Sequence, residues 1–123
     1  MMAVTAESQR LMDFMDAQLF RPVLETNPDR FPPHQRDDVR ALQARLEDIQ
    51  RQIRSAGSPE AMVRDFGRIA REDGQSLDAK LTALGFAAVS DIRYDVEKLG
   101  AELGLQWQDD EPGAGPRGTR QEA

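Results

Sequence analysis

Few residues in this chain are equipped for chemistry, and their spacing does not assemble a reaction. The single histidine, His34, titrates closest to neutrality and is the natural candidate for a general base. It follows Phe31-Pro32-Pro33, and no motif supplies it with a partner. A catalytic site needs a partnered nucleophile or a tuned pair of groups. His34 therefore reads as a solvated residue at a helix start. Asp13 and Asp16 stand three apart, a spacing at which two carboxylates can flank a cation from one helix face. The Glu-x-x-His signature that completes such centres is missing, so these acids read as a solvated polar face. Asp109, Asp110 and Glu111 precede a Pro/Gly stretch without the twelve-residue order of a calcium loop.

There is no cysteine, which removes disulfides, thiolate nucleophiles and Cys-based metal sites together. Gly-rich phosphate loops, nucleophile elbows and dinucleotide fingerprints are also missing. No enzymatic activity, cofactor or metal is expected from this inventory.

Arginine is the other residue that can mark a site. The chain has fourteen Arg against two Lys, a bias that a GC-rich coding sequence produces without any functional demand. Eight of the fourteen fall within residues 34–71, on two segments joined by Gly57-Ser58-Pro59. A helix-turn-helix can be drawn there, with Arg64 and Arg68 as phosphate contacts. Against it, Asp37, Asp38, Glu47, Asp48 and Asp65 are interleaved with those arginines. Mixed signs at such spacings suit intrahelical pairs better than a phosphate track. The net charge of −6 opposes nucleic acid and anionic membrane alike. Residues 72–111 concentrate the negative charge, with ten acids and three bases. Nucleic-acid binding through segments 34–56 and 59–73 is kept as the alternative function.

The elements that would position these residues are helices. Val39, Leu42, Leu46, Ile49 and Ile53 recur at spacings of three, four, three and four, in a segment from His34 to Ala56 nearly free of helix breakers. This is a heptad seam, and a stripe so narrow must be covered by another helix. At little over two heptads it suits a packing face within a bundle better than a coiled coil. Neutral Gln43, Gln50 and Gln52 beside it also suit a wider helical interface.

Around this seam the pattern predicts a helix from about Ala6 to Phe20, faced by Leu11, Met12, Met15, Leu19 and Phe20 and ended or kinked by Pro22. Pro33 suits the first turn of the seam helix, and Gly57 a left-handed end to it. Ser58 caps a third helix with Pro59 at its first position, closing at Gly74. Ser76 caps a fourth, ended by Gly85 with Phe86 folding back in a Schellman arrangement. The last helix starts near Ser90, with Val89 and Tyr94 placed as a hydrophobic staple. It carries the stripe Ile92, Val96, Leu99 and Leu103, interrupted by Gly100.

The expectation is an all-α single small helical bundle of four to five helices, with residues 1–107 as the domain and 108–123 as a disordered acidic tail. The N-terminal residues lack the basic and apolar regions of a signal peptide, and no apolar run approaches a membrane span. A cytoplasmic location is expected. The expected function is non-enzymatic protein–protein interaction, as a helical accessory subunit, adaptor or inhibitor. The partner is another protein or a second copy of the chain, met through Met12 and Met15 on the first helix or through Leu42, Leu46, Ile49 and Ile53 on the second. The tail has no apolar area to contribute to folding. Removal of residues 112–123 is expected to leave the thermal melt unchanged, and hydrogen-exchange protection of its amides would contradict that.

Overall fold

The computed structural model describes residues 5–107. The expected disordered tail, 108–123, lies outside the described residues. Within them the chain forms an all-α bundle of four long helices and no strand.

Helix α1 is built of three consecutive pieces: α-helical Ala6–Met15, π-helical Asp16–Phe20 and α-helical Arg21–Leu24. Thr5 caps it, its hydroxyl accepting from the Ser8 amide at 3.0 Å. Pro22 was expected to end or kink the helix, with Val23 and Leu24 able to extend it beyond; the helix does run on to Leu24. Proline at an interior position crowds the carbonyl one turn back and removes a donor. Here the preceding turn is widened, with the Arg21 amide donating to the Asp16 carbonyl five residues back. A π turn of this kind absorbs local crowding without ending the helix. The side chains on both sides of it, Met15, Leu19, Phe20 and Val23, all remain buried.

A short 3₁₀ turn, Pro28–Arg30, follows, capped by the Asn27 side chain. Helix α2 is Pro33–Arg54, with Pro33 in the first turn as its chemistry favours. The five seam residues are all buried. The seam is thus a packing face within the bundle. Gln43 and Gln50, expected to suit a wider interface, are spent inside the chain. Gln43 Nε2 donates to the carbonyls of Val23 and Thr26 at 3.0 and 2.8 Å, satisfying the end of α1. Gln50 Nε2 donates to Asp16 at 2.9 Å.

Gly57 does not take the left-handed conformation expected of it. The last carbonyls of α2 are met instead by the amides of Ser55 and Ala56 and by the Ser55 hydroxyl, so no left-handed residue is required. Ser58 then caps α3 as expected, accepting from the Ala61 amide at 3.1 Å.

Helix α3 is Pro59–Ala83, one unbroken element where two were expected. Gly74 does not close it, and Ser76 is not a cap. The apolar rhythm Met62, Val63, Phe66, Ile69, Ala70 stays in phase through Gly74 to Leu77 and Leu81. Burial along that continuous stripe outweighs the ~1 kcal/mol that an interior glycine costs. The helix ends as expected: the Phe86 amide bonds the Leu81 carbonyl at 2.8 Å and the Gly85 amide the Thr82 carbonyl at 3.1 Å, with Gly85 at φ +92°.

Helix α4 is Val89–Glu102. The expected staple is absent, because Val89 is already the first helical residue and Tyr94 is 69% exposed. The cap comes from α3. Asp78 accepts from the amides of Val89 and Ser90 at 2.6 and 3.3 Å, and from the Ser90 hydroxyl. A carboxylate at that position also meets the positive end of the helix dipole. Gly100 admits a close neighbour. A Cβ there would stand 3.0 Å from the Trp107 ring and 3.3 Å from Val63 on α3.

Short connections make the helices run alternately up and down. Helices α1 and α3 touch each other and both of the others, while α2 and α4 flank this pair on opposite sides. One core joins all four helices, with Phe20, Phe66, Met15, Leu46 and Leu81 among its most enclosed side chains. No buried side chain among the described residues is polar. Leu46→Asp would set an unpaired carboxylate at a site with no exposure. A loss of about 3–5 kcal/mol is expected in chemical denaturation; a variant that melts like the parent would refute this packing.

Candidate interaction face

The residues proposed from sequence as contacts lie inside the molecule. Met15, Leu42, Leu46, Ile49 and Ile53 are fully enclosed, and Met12 retains 8% exposure. They cover one another across the α1–α2 and α2–α3 seams, which leaves them no surface to offer a partner. Sequence periodicity marks which residues must be covered; it does not say by which chain. Here the chain covers its own stripes.

The arginine surface of α2 and α3 is also largely committed. Arg40 pairs with Asp37, Arg51 with Asp48, and Arg45 with both Asp48 and Asp73, the last tying α2 to α3. Arg54 reaches Asp16 on α1 at 3.2 Å. Arg64 and Arg68 both contact Asp65, at 3.3 and 3.6 Å. Arg36 turns back onto the loop, donating to the carbonyls of Phe31 and Asp29. This is the mixed-sign pairing that the interleaved acids implied. Such exposed pairs contribute only ~0–1 kcal/mol each, so they organise the surface more than they stabilise it.

His34 is exposed at the start of α2. Asp13 and Asp16 do not converge: Asp13 accepts from Gln9, and Asp16 from Gln50 and Arg54. Among the described residues no three His, Cys, Asp or Glu side chains cluster to hold a metal ion. No helix there is long and apolar enough to cross a membrane.

Among the described residues an open seam lies between α1 and α4. Close packing at Gly100 draws α4 onto α3, and its contact with α1 is the looser one. Between them runs an open groove of about 560 Å³. Phe14 and Leu99 give it an apolar floor, and Arg10, Asp13, Gln18, Asp95, Lys98 and Glu102 form its walls. Tyr94, one turn before Lys98 on the outer side of α4, is the one large hydrophobic side chain that is exposed among the described residues.

The charges on this face are less engaged than the arginines of α2 and α3. Arg10, Asp95, Lys98 and Glu102 make no ion pair among the described residues, although both signs are present. A large amphipathic ring beside an apolar floor and unengaged charges is the composition of a contact surface.

Tyr94 was legible in the sequence in one respect. It falls two residues after Ile92 and two before Val96, which puts it on the side of α4 away from the apolar stripe. The groove itself was not legible, because it depends on how far α4 stands from α1. Comparison with protein-family models, curated proteins and solved structures gave no match.

Side chains that pair with nothing in the fold should be dispensable to it. Arg10→Ala and Lys98→Ala are each expected to change unfolding free energy by under about 0.5 kcal/mol. A larger loss in urea denaturation would show that they support the bundle.

Proposed function

We infer that this chain is a non-catalytic protein-binding module whose contact surface is the α1–α4 face. The observation that carries the reading is the coincidence, on one face, of the exposed Tyr94 ring, the groove floored by Phe14 and Leu99, and charged walls without ion pairs. Tyrosine and arginine are enriched among the residues that dominate binding energy, because each offers a large contact with a polar end that is readily satisfied. The expected role as accessory subunit, adaptor or inhibitor fits this surface. Its contact residues are Arg10, Phe14, Tyr94 and Lys98, around the buried Leu99, in place of the core residues that periodicity suggested.

The nucleic-acid alternative has less to support it. Arg64 and Arg68 share Asp65, and acids stand among the arginines throughout α2. A phosphate track needs uncompensated positive charge along a line.

The test is a photo-crosslinking residue placed at position 94, with the same residue at exposed position 51 of α2 as control. A discrete crosslinked protein is expected from position 94 and not from position 51, and Phe14→Ala is expected to reduce it. Equal labelling from both positions would overturn the reading. So would tight binding of duplex DNA that disappears with rising salt and with Arg64→Glu/Arg68→Glu, since steep salt dependence is the mark of phosphate contacts.

A further inference from the structure

We propose that the partner of the α1–α4 face is a second copy of this chain, which packs α1 of one copy on α4 of the other about a two-fold axis parallel to the helices. The proposal rests on the contact face described above, and it adds the identity of the occupant.

The argument comes from the order of charges along the two walls. Helices α1 and α4 are antiparallel neighbours, so the start of α1 lies level with the end of α4. The groove is lined by Arg10, Asp13 and Gln18 from α1 and by Asp95, Lys98 and Glu102 from α4. The antiparallel run of the two helices orders them as Arg10 with Glu102, Asp13 with Lys98, and Gln18 with Asp95, the last level being flanked by Ala17 and Tyr94 in the sequence. Two of these levels carry opposite signs on their two walls, and the third sets a neutral amide against an acid. Yet among the described residues none of these groups is ion-paired.

A two-fold axis parallel to the helices keeps each level in register and exchanges the walls. It therefore sets Arg10 of one copy against Glu102 of the other, and Asp13 against Lys98. Every such pair forms twice, as an isologous contact requires. The exposed Tyr94 ring comes to lie on the exposed Ala17 of the second copy, where a small side chain leaves room for it. The apolar floors face one another between the charged rows. A foreign partner would have to reproduce this alternation of signs, whereas a second copy supplies it by symmetry. A two-fold axis perpendicular to the helices would lay α1 on α1 and does not match signs level by level.

The test is a charge exchange followed by sedimentation equilibrium from micromolar to millimolar protein at low salt. The parent chain is expected to show a reversible monomer–dimer equilibrium. Lys98→Glu sets an acid against Asp13 in both symmetry-related contacts and is expected to raise the dimer Kd by roughly tenfold or more, two exposed pairs being lost and replaced by repulsion. Adding Asp13→Lys in the same chain restores opposite signs across the interface and is expected to return Kd to within about threefold of the parent, the signature of direct coupling. Circular dichroism melts of the variants, which alter only exposed side chains, confirm that each remains folded.

A parent chain that stays monomeric throughout, a Lys98→Glu variant that dimerises like the parent, or a double variant that fails to recover would each overturn the proposal. The crosslinking result at position 94 separates this outcome from failure of the binding face. A single foreign protein captured there by a monomeric chain removes the dimer and keeps the face.

Discussion

The bundle depends on the unbroken apolar stripe of α3. From Met62 to Leu81 this helix presents buried side chains along its whole length, and it touches each of the other three helices. Its continuity through Gly74 is a balance of magnitudes. An interior glycine costs ~1 kcal/mol, while each large apolar side chain buried on either side of it contributes roughly 1.5–3 kcal/mol. With the helix whole, Asp78 lies where the next helix begins and caps α4 from outside that helix. Asp73 likewise comes within reach of Arg45 on α2. Were α3 broken at Gly74, the Asp78 cap would have no fixed geometry.

The same helix decides where the molecule is closed and where it is open. Gly100 and the Trp107 ring bring α4 tightly against Val63 and Gly67. Tight packing on that side leaves the α1 side wider, and long side chains such as Arg10 and Lys98 line the gap without meeting. The groove is thus a consequence of how one glycine and one aromatic ring position a short helix.

The polar groups divide in a parallel way. On α2 and α3 charged side chains are largely answered within the chain, and Gln43, Gln50 and Asp78 satisfy helix ends or neighbouring helices. On the α1–α4 face Arg10, Asp95, Lys98 and Glu102 make no ion pair among the described residues. Exposed charges are well solvated, so an unpaired surface charge costs little. What separates this face from ordinary surface is the apolar floor beside those charges and the one large exposed ring. A surface of that composition gains more from a covering partner than the paired arginine surface does.

Local sequence determined the helical class, the seam of α2, the cap at Ser58 and the Schellman end at Gly85, because each depends on side chains a few residues apart. It also determined that the interleaved acids would pair with the arginines, since three- and four-residue spacings set neighbours on a helix whatever the fold. Tertiary structure decided the rest. The π turn before Pro22 and the passage through Gly74 hold because burial on both sides outweighs a local preference to break. The cap of α4 comes from a residue eleven positions upstream. Sequence required that Met12, Met15, Leu42, Leu46, Ile49 and Ile53 be covered, but only packing decided that the chain covers them itself. The groove had no local signature at all. It exists in the distance between two helices, and that distance is set by the third helix on which both of them pack.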